Sequence, residues 1–99
     1  MNTPAKKVIV HFYRKDGCHL CDDMARGLAE SMREWSESGE LDSDCEYEII
    51  GRDIEDDPRW YRRYREYVPV LVVDGREICH YFLDKDDLKE ALQKAPPCK

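Results

Sequence analysis

Lys15-Asp16-Gly17-Cys18-His19-Leu20-Cys21 is the stretch from which the rest of this chain can be read. It follows the apolar run Val8-Ile9-Val10-His11-Phe12-Tyr13 and opens a segment with apolar residues at three- and four-residue steps as far as Trp35. The order is therefore strand, tight turn, two cysteines three apart, helix. In that context a C-x-x-C pair reads as redox chemistry. On the first turn of a helix, residues i and i+3 share a face, with Cβ atoms about 5–6 Å apart. A small adjustment reaches disulfide geometry, so the pair can open and close without refolding the domain. Cys18 is expected at the helix start, where unpaired N–H groups and the macrodipole favour a thiolate below the free value of about 8.5. Lys15 and His19 add positive charge there, and Asp16, Asp22 and Asp23 oppose it. Cys21, one turn in, is expected to be more buried and to act as the resolving thiol.

The chain has 99 residues, which predicts one domain spanning 1–99. A chain of this size buries about 60–70% of its unfolded surface, enough for one core without staples. With 41% hydrophobic and 38% charged residues, the composition is that of a globular domain with a densely charged surface. The net charge of −6 argues against nucleic acid as a partner. No apolar run approaches the length of a membrane span, and no long apolar signal region follows Lys6-Lys7. The expectation is a cytoplasmic monomer with no membrane partner. Five cysteines (Cys18, Cys21, Cys45, Cys79 and Cys98) are an odd set, unlike a secreted disulfide framework.

Lys7–Tyr13 is expected as the first strand, buried on both faces as in a parallel sheet. His11 within it is read as a satisfied histidine. The first helix is expected from about His19 to Ser36, with Cys21, Met24, Ala25, Leu28, Met32 and Trp35 as its core stripe. Gly27 weakens it locally. Ser36–Asp44 is polar and reads as a loop. Cys45–Ile50 is a second strand, parallel to the first across the helical crossover, with Cys45 a small strand side chain.

Asp57 fits an N-cap with Pro58 at the first position of the next helix. Arg59-Trp60-Tyr61-Arg62-Arg63-Tyr64-Arg65 is read as a surface helix with Trp60, Tyr64 and Tyr61 inward, in preference to a patch for an anionic partner or for stacking on nucleotide bases, because the acidic residues just before it cancel much of the charge. Val70–Val73, Asp74-Gly75 and Arg76–Phe82 read as a hairpin with a type I′ turn. Cys79 and His80 fall on opposite faces, a poor metal pair. Asp84–Leu88 opens the final helix, and Ala95–Lys99 is a tail with Cys98 an exposed bystander.

Tyr13 to Cys21, together with Val68-Pro69-Val70-Leu71 and Asp74-Gly75, resembles the glutaredoxins and small glutaredoxin-like proteins of the thioredoxin superfamily. The resemblance runs from Lys7 to about Leu92. It implies an α/β fold, β-α-β-α-β-β-α, with a mixed four-stranded sheet and helices on both faces; periodicity alone stops at α/β. It implies thiol–disulfide exchange at Cys18 and Cys21, with Lys15, His19, Leu20, Val68 and Pro69 around the substrate and a cis bond before Pro69. The substrate would be a protein or small-molecule disulfide, and the electron donor a reductase or glutathione. No resident cofactor and no metal site are expected.

The alternative is a non-catalytic domain of the same fold that uses the cysteines for a partner. Four-thiolate zinc needs a second C-x-x-C, which the chain lacks. A zinc or iron–sulfur site shared by two chains would still be open to the pair. A nucleic-acid module, resting on Arg59–Arg65 alone, ranks third.

The departures from glutaredoxins bear on glutathione as co-substrate. Leu20 stands where those proteins carry a tyrosine, and Tyr81-Phe82-Leu83-Asp84 replaces their Gly-Gly and acidic motif. Lys15, Val68 and Asp84 remain as contacts. Leu20 supplies no hydroxyl, and without the glycine pair a helix start cannot approach the ligand closely. Chemical-shift titration with reduced glutathione is expected to show no saturable change; shifts at Lys15, Val68 and Asp84 at micromolar ligand would contradict this.

Overall fold

A computed structural model describes residues 6–95. β1 (Lys6–Arg14), α1 (His19–Ser38), β2 (Cys45–Asp53), α2 (Pro58–Tyr64), β3 (Val70–Val73), β4 (Arg76–His80) and α3 (Lys85–Lys94) follow in order, with a 3-10 turn at Ile54–Asp56. The four strands form one sheet in the order β2-β1-β3-β4. β1 and β2 are parallel, joined through α1; the β1–β3 and β3–β4 pairs are antiparallel. This is the architecture expected from the sequence.

The alternation of β1 sorts its side chains by face. Val8, Val10 and Phe12 are buried, while Ile9, His11 and Tyr13 are half-buried. α2 covers part of the second face, since Tyr13 stacks on Tyr64 and meets the edge of Trp60. α3 is tied to the C-terminal end of α1 and the turn after it: Lys89 pairs with Glu40 and lies over the Trp35 ring, and Gln93 donates to the Glu40 carbonyl. Leu28, Leu71, Leu88 and Leu92 are fully buried within the core.

Local chemistry sets the ends of the elements. Asp57 caps α2 by accepting the Arg59 N–H at 2.8 Å, with Pro58 in the first helical position. Asp84 caps α3 by accepting the Asp87 N–H at 3.0 Å. Asp74 and Gly75 have φ of 54° and 75°, the left-handed pair of a type I′ turn. Beyond that turn, the β3–β4 register shifts between Leu71 and Val72, and Ile78 is the residue left over in the pairing.

Four expectations need adjustment. α1 continues to Ser38 because its terminator is Gly39, at φ 82°, whose N–H reaches the Ser36 and Trp35 carbonyls. β2 continues to Asp53 because β1 offers ladder partners over its full length, Asp53 opposite Arg14. In the α1 stripe, Ala25 is exposed and Met32 only half-buried, while Ser31 is buried. β4 ends at His80, short of Phe82, because Tyr81 leaves the extended region at φ 66°. Cys45 lies in the core at the start of β2, as expected of a strand side chain, and the expectation for Cys98 lies outside the described residues.

Ser31 Oγ has no hydrogen-bond partner among the described residues. A buried hydroxyl in that state loses its hydration without compensation, and alanine is the better helix former. Ser31→Ala is therefore expected to stabilise the fold by about 1 kcal/mol, seen as a higher urea midpoint at unchanged slope; a lower midpoint would contradict it.

Candidate active site

β1 ends at Arg14, and the turn through Asp16 and Gly17 redirects the chain into α1. Gly17 has φ 73°, a conformation that glycine adopts at no steric cost. Cys18 then takes extended backbone angles, φ −109° and ψ 107°, and is the N-cap of α1. Its sulfur accepts the Cys21 N–H at 3.1 Å, and its carbonyl accepts the Asp22 N–H at 3.2 Å. A sulfur thus occupies the place that a serine or aspartate oxygen usually fills.

Cys18 and Cys21 are joined in a disulfide with Cα atoms 5.2 Å apart. Cys21 is fully buried and Cys18 partly exposed, so an incoming group meets the Cys18 sulfur first. His19 is exposed, while Lys15 and Leu20 are half-buried. Arg14 and Asp16 are 3.9 Å apart, with the Asp16 side chain almost fully exposed.

Val68 and Pro69 reach the same end of the sheet. Tyr13 pairs with Val70, so continuing the register sets Pro69 across from Arg14. The Val68–Pro69 bond is cis, as expected. The Val68 N–H is donated to the Tyr64 carbonyl at 3.1 Å, so that amide is already committed. Asp84 is likewise committed, as the cap of α3.

The segment after β4 holds what the sequence reading missed. Tyr81 has φ 66° in the stretch where the resemblance would put glycines. It is pinned there by its N–H to the Pro69 carbonyl at 2.9 Å and by its hydroxyl to the Glu66 carbonyl. Leu83 packs against Gly27 of α1, where an added Cβ would lie 3.1 Å from Leu83 Cδ2. So Gly27, read as a weak point, makes room for the loop that follows Tyr81. The usable signal was a glycine-free turn after a strand.

On the α2 side, Arg52 donates from Nε to His11 Nδ1 at 3.0 Å and lies over the Trp60 ring. His11 is thus satisfied, as expected. Trp60 and Tyr64 pack inward, but Tyr61 is exposed. Among the described residues no three or more His, Cys, Asp or Glu side chains gather as metal ligands. No helix among them is long and apolar enough to cross a membrane.

A mixed four-stranded sheet with a cysteine pair at a helix start and a cis-proline at the same end defines a thioredoxin-fold protein. Residues 9–93 match the glutaredoxin-like domain family (DUF836), and the chain belongs to that family. Protein Ne2328 from Nitrosomonas europaea is 32% identical with a TM-score of 0.66, the match covering 93% of this chain and 99% of that one. A malarial protein is 12% identical with a TM-score of 0.59, covering 92% and 99%. Thioredoxin 1 from Thermosipho africanus is 13% identical with a TM-score of 0.52, covering 85% and 93%; like the malarial protein it shows the fold alone. No curated protein matches the chain.

Burial holds the His11 pKa below its usual 6.5, and the neighbouring Arg52 charge lowers it further. Removing the guanidinium should recover only part of the shift, because burial is the larger cause. His11 is expected to titrate below 6.5 in wild type and somewhat higher in Arg52→Met, followed by imidazole NMR shifts against pH. No rise in the variant would mean that the Arg52 charge does not reach the ring. A depressed folded-state value makes the His11 contribution to stability fully present above pH 6.5 and lost as pH falls through the folded value.

Proposed function

We propose that this protein is a thiol–disulfide oxidoreductase acting through Cys18 and Cys21. The observation that carries the reading is the Cys18 sulfur in the N-cap position, receiving the Cys21 N–H and bonded across the first turn to a buried Cys21. A backbone N–H at contact distance stabilises a sulfur anion more than exposed charges farther off can oppose it. Lys15 and His19 adjoin the same turn.

In the reducing direction, the Cys18 thiolate attacks one sulfur of a substrate disulfide. The substrate S–S bond breaks, a Cys18–substrate bond forms, and the departing thiolate takes a proton from solvent. Cys21 then loses its proton and attacks the Cys18 sulfur. The mixed disulfide breaks, the Cys18–Cys21 bond closes, and the second substrate thiol leaves. Two electrons and two protons reach the substrate, and an external dithiol or pair of thiols restores the enzyme by the reverse steps. We assign Val68 and Pro69 to the wall beside the reacting sulfurs, with Lys15, His19 and Leu20 around the entrance. The substrate is a protein or small-molecule disulfide, and a dithiol reductase is the preferred donor, because Leu20 and the glycine-free Tyr81–Asp84 stretch leave little to hold glutathione. The compartment that suits this chemistry is a reducing cytoplasm.

Cys21→Ser should trap the mixed disulfide on Cys18, while Cys18→Ser should form none, as read by intact mass after a disulfide challenge. Serine is itself a strong N-cap, so Cys18→Ser keeps the helix start. Stable adducts on Cys21 in Cys18→Ser would reverse the assignment; no adduct in either variant would remove the activity.

A further inference from the structure

Two surface features flank the strand ends where the disulfide lies, and thiol chemistry requires neither. On the β4 side is a patch of rings. Tyr67 is 46% exposed, Tyr81 38% and Phe82 69%. His80 joins them, with its ring edge-on to Tyr67 and to Tyr81. Burial would stabilise each of these rings, and here they cluster in water beside the Pro69 carbonyl that Tyr81 binds. The backbone under the patch is held against its preference. A tyrosine in the left-handed region costs on the order of 1 kcal/mol or more, and such positions concentrate where a surface is shaped for use. Tyr81 N–H and hydroxyl, bonded to Pro69 and Glu66, keep it there.

On the α2 side is a basic surface in a chain whose net charge is −6. Pro58–Arg65 contains four arginines and no acid. Asp57 neutralises Arg59. Arg62 and Arg63 are exposed and have no ion pair among the described residues. Arg63 lies towards the disulfide end, because its guanidinium is over the Tyr64 ring and that ring rests on Tyr13; Arg62 adjoins it in the helix. Lys15, half-buried, stands at the cysteine turn itself.

We propose that these two surfaces dock one partner: a protein segment that carries an aromatic side chain and acidic residues around its reactive cysteine. The aromatic residue packs on Tyr67, Tyr81 and Phe82, and the acidic residues meet Arg62, Arg63 and Lys15. This rests on the oxidoreductase reading and adds the substrate class to it. Charge complementarity on one flank and stacking on the other orient an extended segment across the strand ends, with its disulfide over Cys18. Electrons pass from the Cys18 and Cys21 thiols to the segment's disulfide, which is the oxidant and leaves as two thiols.

The test is single-turnover oxidation of the pre-reduced full chain, read by mass-tagging Cys18 and Cys21 in quenched samples. The oxidants are hydroxyethyl disulfide and three disulfide-linked peptide dimers. One peptide has glutamates and a phenylalanine around its cysteine; the second has lysines for the glutamates; the third has alanine for the phenylalanine. The first should react at least about fivefold faster than the second at low ionic strength, with the ratio collapsing towards one in about 0.5 M salt. Arg62→Ser/Arg63→Ser should also collapse that ratio. Tyr67→Ala/Phe82→Ala should collapse the ratio of the first to the third. Equal rates for all three peptides, with the cysteines still oxidised by them and by hydroxyethyl disulfide, would overturn the docking proposal and leave the activity standing. No oxidation by any of the four would overturn the oxidoreductase reading and the docking proposal with it.

Discussion

A helix begins with backbone N–H groups that have no carbonyl to bind, and in α1 one of them is given to the sulfur of Cys18. The rest of the molecule holds that arrangement in place. β1 is paired on both sides, so the strand that delivers the chain to the turn is fixed by two neighbours. Gly17 makes the bend, and Cys21 is anchored at the start of a stripe that runs through Met24 and Leu28 to Trp35. The Cys18–Cys21 bond thus joins two sulfurs set on paired and packed elements, the arrangement that the proposed exchange without refolding requires.

Charge is distributed unevenly around that bond. Some carboxylates cap helices or pair with basic side chains at the surface, as Asp84 and Glu40 do. Asp57 shows how completely a basic group can be used up this way. Hydrogen bonds from the Arg59 side chain and backbone hold its carboxyl at a pKa of about 2, so the pair stays ionised throughout the neutral range. Arg62 and Arg63 are not consumed in that manner. A chain that is acidic as a whole therefore presents a locally basic face, which a net charge cannot reveal.

Much of this was legible in the sequence because the signals were local. Val8 to Tyr13, the cysteine spacing, Asp57-Pro58 and Asp74-Gly75 each state their own structure within a few residues, and the order of elements follows from them. The cis bond before Pro69 was reachable only through the resemblance, since nothing in Val-Pro itself selects that isomer. What stayed hidden depends on distant partners. β2 ran on to Asp53 because β1 was there to pair with it. Ser31 is buried by the packing around α1, against its own polarity. Gly27 and Leu83, far apart in sequence, explain each other only in three dimensions. Tyr81 is the sharpest case, because a left-handed tyrosine leaves no mark in a propensity and is stabilised by carbonyls from Glu66 and Pro69. At the cysteines the sequence named the pair and expected Cys21 to be the buried one, as it is, and the structure added the Cys21 N–H bonded to the Cys18 sulfur.

The irregularity at Ile78 bears on how this sheet can change over evolutionary time. Strand side chains alternate with a period of two, so a one-residue slip exchanges the two faces. The offset between Leu71 and Val72 divides β4 into two separately phased halves. Arg76 and Glu77 keep step with the tight turn, while Cys79 and His80 keep step with the strand end at Pro69. Losing Ile78 would merge the halves into one phase and turn either the hairpin residues or His80 to the wrong side. The leftover residue thus acts as a frame-setter, letting the turn and the aromatic flank of the disulfide be tuned by separate substitutions.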